Sequence, residues 1–65
     1  MSAAEVHFLD ENAVIEAWRA EELERAGYPS PAAAEIAVRH DIDLHRAVDL
    51  LRLGCPLDLA LRIVL

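Results

Sequence analysis

All the glycine and proline of this chain lies in two short segments, and these segments divide the chain into stretches that suit helices. The first segment is GYPSP over 27–31, and the second is GCP over 54–56. Glycine is favoured directly after a helix, whereas serine followed by proline is favoured where a helix begins. The two segments therefore predict that one helix ends and another begins at each place.

The remaining boundaries come from residues that can cap a helix. Asp10 suits an N-cap, with Leu9 and Val14 as the apolar pair that often flanks such a cap. Asp43 suits the N-cap of a further helix, after the helical pattern breaks at 41–43. We predict four helices, over about 11–26, 31–40, 44–53 and 56–65.

The apolar residues of the two middle helices recur at helical spacing, which predicts the side that faces the core. The residues predicted to face inward are Ala33, Ile36 and Ala37 in the second helix and Leu44, Ala47, Val48 and Leu51 in the third. The fold class that follows is all-α, a compact bundle of four short helices without a sheet.

The predicted helical domain occupies 10–65, and residues 1–9 are interpreted as a lead-in that can be flexible. Within this lead-in, the run VHFL over 6–9 is apolar and partly suited to a β-strand. One interpretation is a strand that pairs with the edge of a partner's sheet. The alternative, which we favour, is the approach to the first helix.

Length and cysteine content exclude several classes of protein. A chain of 65 residues has room for one small domain. Its single cysteine, Cys55, cannot form a disulfide within the chain, and no Cys and His pairs suit a structural zinc site. Neither a secretory signal nor a long apolar stretch is visible, so we expect no membrane contact and a cytoplasmic location.

The charge argues against a nucleic-acid partner. The net charge is −6, with six arginines and no lysine, and residues 1–26 carry most of the excess acid. Proteins that bind nucleic acids usually present a basic stripe to the phosphates. We interpret the acidic residues as a solvated surface, and the alternative is a surface that docks a basic partner.

The residues that could carry chemistry are few. His40, Asp41, Asp43 and His45 lie within one short segment, with Cys55 further along the chain. Their spacing does not place ligands on one helix face, so we expect no bound metal and no other cofactor. Cys55 precedes a helix, but no base is placed to activate it as a nucleophile. We therefore expect that the chain is not an enzyme.

The predicted C-terminal helix is apolar on nearly all sides, more than a domain of this size can bury. Leu57, Leu61 and Val64 can face the core, which leaves Leu59, Ile63 and Leu65 on the far side. We interpret these three residues, together with Trp18, as candidates for binding a partner. For Trp18 the interpretation we favour is the centre of the core, and binding of a partner is the alternative.

The stretch EIAVRHDIDLHRAVDLLRL over 35–53 resembles a helix-turn-helix. Ala37 stands where that motif has a small residue, Ile42 at its apolar turn position and Ala47 at an inward position of its second helix. Asp41 replaces the usual turn glycine. The resemblance implies a helix crossing of that kind and, as an alternative function, a DNA-binding transcriptional regulator.

Two further resemblances cover other parts of the chain. LERAGY over 23–28 and HRAVDLL over 45–51 are similar to parts of ubiquitin-associated three-helix domains, with Ala26 in place of the loop methionine. The pattern WRAEELERAGY, DLHRAVDLLRLGCP and LALRIVL resembles a group of short actinobacterial and actinophage proteins. The last resemblance implies a source and no activity.

From the sequence we expect this chain to be a small protein–protein interaction or regulatory module without enzymatic activity. It would act through an apolar face that includes the C-terminal helix, and its partner would be another protein or a second copy of the chain. A metal-dependent or thiol enzyme would require His40, His45 and Cys55 to meet in space.

Overall fold

The computed structural model describes the backbone of residues 3–65 and the side chains of residues 11–65. Its four helices are α1 (Ala3–Ala26), α2 (Ser30–Val38), α3 (Leu44–Arg52) and α4 (Leu57–Val64). The described range contains helices and connecting turns and no strand, which confirms the predicted all-α class. Within the predicted lead-in, residues 1 and 2 lie outside the described residues.

Two glycines end α1 and α3 in the same way. Gly27 and Gly54 both have a positive φ, +126° and +95°, in the region where side chains are disfavoured. After α1, the N–H of Tyr28 donates to the Leu23 carbonyl at 3.0 Å, and the N–H of Gly27 donates to the Glu24 carbonyl at 3.0 Å. These two bonds form a Schellman motif, which satisfies carbonyls that the helix end would leave unpaired.

The other boundaries agree with the sequence to different degrees. Asp43 is the N-cap of α3, and its carboxylate accepts the N–H of His45 at 3.0 Å, as predicted. Ser30, the serine before Pro31, is the first residue of α2 rather than its cap, and Pro29 takes the cap position without a side-chain bond. Helix α2 also ends at Val38, before the predicted end at about residue 40.

The predicted start of the first helix is wrong. Helix α1 begins at Ala3 and continues through Asp10, so Asp10 does not stand at an N-cap and 3–9 is not a separate lead-in. A capping residue inside a sequence of good helix formers does not stop the helix, because nothing before it breaks the backbone pattern. The helix is 24 residues long, about 36 Å at 1.5 Å per residue, and is not short.

The core is small and built largely from alanine. Leu23 and Ile36 are the largest side chains that are fully buried among the described residues. The remaining buried apolar residues are Tyr28, Ala33, Ala37, Ile42, Ala47 and Ala60. The predicted inward positions of α2 are all buried, and those of α3 either lie in the core or pack against it. Small side chains allow the helices to approach closely, but they leave little room for a large residue.

Helix α1 packs on both α2 and α3, and α3 packs on α4. The molecule measures 48 × 19 × 18 Å, so it is elongated, because α1 is much longer than the other helices. Residues 11–15 occupy more than one full turn of α1, and all five are exposed. This part of α1 therefore projects beyond the body of the fold.

Candidate interaction surface

Helix α4 has one side in the core and one side in solvent. Ala60 is fully buried, and Leu61 and Val64 pack against the core. The prediction that Leu57 also faces the core is wrong, because Leu57 stands at the first position of the helix and is 36% exposed. On the opposite side Leu59, Ile63 and Leu65 keep between 42% and 46% of their surface exposed. We call these three residues the α4 surface. Their exposure agrees with the sequence, which placed them on the far side of the helix.

The charged residues of α4 lie beside this surface. Asp58 and Arg62 are the two charged residues of the helix, and both are exposed. At 100° per residue they lie on one flank of Leu59 and Ile63, between Leu59 and Leu65 around the helix. The acid sits in the first turn and the arginine in the last, where the helix dipole favours each charge. The α4 surface is therefore apolar with a neutral flank.

Trp18 is not the centre of the core, and that interpretation is wrong. Its side chain is 53% exposed. Trp18 and the buried Leu23 are five positions apart, so they point about 140° apart on the helix. Val14 and Ile15 are also exposed and lie near Trp18 on α1. We call Val14, Ile15 and Trp18 the α1 surface.

Three of the residues considered for metal or thiol chemistry make other contacts. His40 contacts Glu16 of α1, with 2.8 Å between Nε2 and Oε2, and Asp43 caps α3. Asp41 faces Arg39, with 3.7 Å between Oδ2 of the acid and Nη2 of the arginine. Among the described residues, no three side chains of His, Cys, Asp or Glu come together in a way that could hold a metal ion.

Arg19 has a structural role that the sequence analysis missed. Its guanidinium donates from Nε to the Ala37 carbonyl at 3.0 Å, and from one terminal nitrogen to the carbonyls of Arg39 at 3.2 Å and Ile42 at 3.0 Å. The Ile36 carbonyl lies slightly further away, at 3.5 Å. These carbonyls belong to the C-terminal end of α2 and the turn after it. The arginine therefore ties this turn to α1 and complements the negative end of the α2 dipole.

The arrangement around α2 and α3 bears on the helix-turn-helix resemblance. The connection between the two helices covers 39–43 and contains Asp41. No described residue other than glycine has a positive φ, so Asp41 does not adopt the left-handed conformation of the usual turn glycine. Four exposed charged residues lie on α3 or at its N-cap. Two are acids and two are arginines, so their charges cancel: Asp43, Asp49, Arg46 and Arg52.

A depression lies between the C-terminal half of α1 and α3. It is lined by Glu22, Arg25, Ala26, Val48 and Arg52 and has a cavity volume of about 140 Å³. Glu22 and Arg25 form an ion pair across one turn, with 2.6 Å between oxygen and nitrogen. Pockets for small organic ligands usually exceed about 300 Å³, so this depression does not suit one.

Tyr28 is a core residue whose side chain makes a buried hydrogen bond. Its hydroxyl donates to the Ala47 carbonyl of α3 at 2.7 Å, which joins the turn after α1 to the core of α3. Burial raises the pKa of the Tyr28 phenol above its usual 10.0, and the neighbouring Cys55 raises it further. The folded protein therefore favours the neutral phenol of Tyr28 over the charged phenolate.

This shift predicts how stability depends on alkaline pH. Because the folded state holds the phenolic proton more tightly than the unfolded chain, the stabilisation is complete below pH 10.0 and is lost as pH rises through the folded pKa. We expect the free energy of unfolding, measured in urea at a series of pH values, to decline above pH 10.0. The chain has no lysine, so few other groups titrate there.

Two variants separate the contribution of Tyr28 from that of its neighbour. Tyr28→Phe should be less stable at neutral pH by about 1 kcal/mol, because a buried hydrogen bond is lost, and should show little of the alkaline decline. Cys55→Ala should keep most of the decline. An equal decline in Tyr28→Phe and in the wild type would contradict the assignment.

Comparison of the chain with family models, with curated proteins and with solved structures gave no match. No helix in the described part of the chain combines the length and the apolar character needed to cross a membrane.

Proposed function

We propose that this chain is a small, non-enzymatic protein–protein interaction module whose α4 surface pairs with the α4 surface of a second copy. The observation that carries the proposal is the exposure of Leu59 and Ile63 on a helix of 8 residues whose other side holds the core, together with Leu65 directly after the helix. Full burial of an exposed aliphatic side chain is worth about 1.5–3 kcal/mol, and these three, with 42% to 46% of their surface still exposed, would gain the remaining part on pairing. Apolar surface of this kind commonly marks an interface.

The charge of α4 favours a second copy as the occupant. Two-fold symmetry places the same patch on both subunits, so the patch must complement itself. Asp58 and Arg62 lie on the flank of the α4 surface and have opposite charges. In an antiparallel pair of α4 helices, Asp58 of each copy comes towards Arg62 of the other copy. The pairing would therefore bury aliphatic side chains without bringing like charges together.

The size of the patch limits the affinity. A helix of 8 residues is about 12 Å long, so two of them bury less than the roughly 1,600 Å² of a standard stable interface. We expect a dimer that dissociates at micromolar protein concentrations. Reversible assembly of this kind suits a regulatory module. The half-buried free thiol of Cys55 fits a reducing compartment, and we propose the cytoplasm as the location.

We do not propose DNA as the partner. The net charge is −6, and the exposed charged residues on and capping α3 include as many acids as arginines. A surface of this composition repels phosphates as much as it attracts them. These observations support a protein partner over the regulator that the helix-turn-helix resemblance implies.

The oligomeric state tests the proposal. Analytical ultracentrifugation over a range of concentrations should show the wild type rising towards twice the monomer mass of 7.2 kDa. Leu59→Glu/Ile63→Glu should remain monomeric, because dimerisation would bury two carboxylates without partners. Both residues are exposed, so the variant should keep its helical circular dichroism.

A matched double substitution on another exposed surface serves as the control. Val14→Glu/Ile15→Glu introduces the same two carboxylates on α1 and should dimerise as the wild type does. The proposal is wrong if the wild type stays monomeric at high micromolar concentration. It is also wrong if the substitutions in α1 and α4 change the mass equally.

A further inference from the structure

The α1 surface is a second exposed apolar patch, and two of its three residues, Val14 and Ile15, lie on the part of α1 that projects from the body. Residues 11–15 are all exposed, so this segment gains little stability from packing on the rest of the described chain. Isolated helices of this kind are marginally stable in water, and the β-branched Val14 and Ile15 are not strong helix formers. A partner that covered the α1 surface would therefore stabilise the segment as well as bury its apolar side chains.

The charges beside the α1 surface are acidic. Glu11 lies one turn before Val14 and Ile15, and Glu21 lies one turn after Trp18, on the same side of the helix. Both carboxylates are exposed. No arginine of α1 is available to balance them, because Arg19 donates to the α2 end and Arg25 pairs with Glu22. The patch is thus apolar with an acidic rim.

We propose that the α1 surface binds a basic amphipathic helix of another protein, one with apolar side chains on one stripe and lysines or arginines beside them. The apolar stripe would cover Trp18 and its two aliphatic neighbours, and the basic residues would meet the acidic rim. A second copy of this chain does not fit here, because two acidic rims would repel each other. This proposal is independent of the α4 pairing, which uses a neutral surface.

The one tryptophan of the chain reports directly on this site. We would titrate the protein with a synthetic peptide that has leucines at helical spacing and lysines elsewhere, and record the Trp18 emission. We expect a saturable blue shift, because the ring leaves water, and weaker binding as salt is added. A peptide with glutamates in place of the lysines should give no shift at matched concentrations.

Two variants localise the response. Val14→Ser/Ile15→Ser should weaken peptide binding by about tenfold or more, since two aliphatic side chains no longer contribute. Leu59→Glu/Ile63→Glu should bind as the wild type does, which separates this site from the α4 surface. An equal response to the acidic peptide, or no blue shift with the basic one, would overturn the proposal. A blue shift that follows protein concentration without peptide would also overturn it, because a second copy would then cover Trp18.

Discussion

Leu23→Ala is expected to lower the free energy of unfolding by about 2–5 kcal/mol, as large-to-small substitutions in a core do. Among the side chains that the structure describes, Leu23 is one of two large ones that are fully buried, and its carbonyl accepts the N–H of Tyr28 in the turn after α1. The neighbouring core residues are mostly alanines, which cannot move to fill the space. A domain of this size has a stability of about 5 kcal/mol, so the variant should retain at most about 3 kcal/mol and unfold at a much lower urea concentration.

Urea denaturation followed by far-ultraviolet circular dichroism measures this effect. The matched control is Leu53→Ala, because Leu53 is 84% exposed at the end of α3. The control should change stability by less than about 0.5 kcal/mol. Similar losses in the two variants would show that Leu23 does not anchor the core.

Arg19→Met is expected to lower the free energy of unfolding by about 2–3 kcal/mol. Methionine retains an apolar stem but none of the donors that reach the carbonyls of Ala37, Arg39 and Ile42. Hydrogen bonds from a charged donor contribute about 1.5–3 kcal/mol each, and bonds that share one guanidinium do not add fully. The amide hydrogens of the α2–α3 turn should exchange faster as a consequence.

Two further variants distinguish the geometry of the guanidinium from its charge. Arg19→Lys should recover only part of the loss, since an ammonium cannot reproduce the planar set of donors. Arg39→Met removes a surface arginine that lies 3.7 Å from Asp41 and should cost less than about 1 kcal/mol. If Arg39→Met were as destabilising as Arg19→Met, net charge rather than the contacts of Arg19 would be the cause.

The features that were predictable from the sequence depend on neighbouring residues. Gly27 and Gly54 end helices because their backbone conformation disfavours a side chain, and that preference is local. Asp43 caps α3 through the N–H two residues further on, which is also a local contact. The inward side of α3 follows from spacing alone, and the same argument placed Leu59 and Ile63 in solvent.

The features that were missed depend on residues far apart in the chain or on the capacity of the core. Arg19 contacts carbonyls that lie about twenty positions away, and helical spacing gives no sign of them; its only sequence signal is a position one turn before the buried Leu23. Trp18 remains exposed because the core is built from alanines and the ring points away from it. The start of α1 was misplaced because Asp10 looked like a cap, although the helix continues on both sides of it.

The proposal of a dimer through α4 is tested most directly by two variants, each of which reverses the charge of one α4 residue. Asp58→Arg and Arg62→Asp each make the flank of the α4 surface uniformly charged, so either variant alone should be monomeric in the ultracentrifuge. An equimolar mixture of the two should form a species of twice the 7.2 kDa monomer mass, because the two flanks then attract each other. A mixture that stays monomeric, or single variants that dimerise as the wild type does, would contradict the pairing.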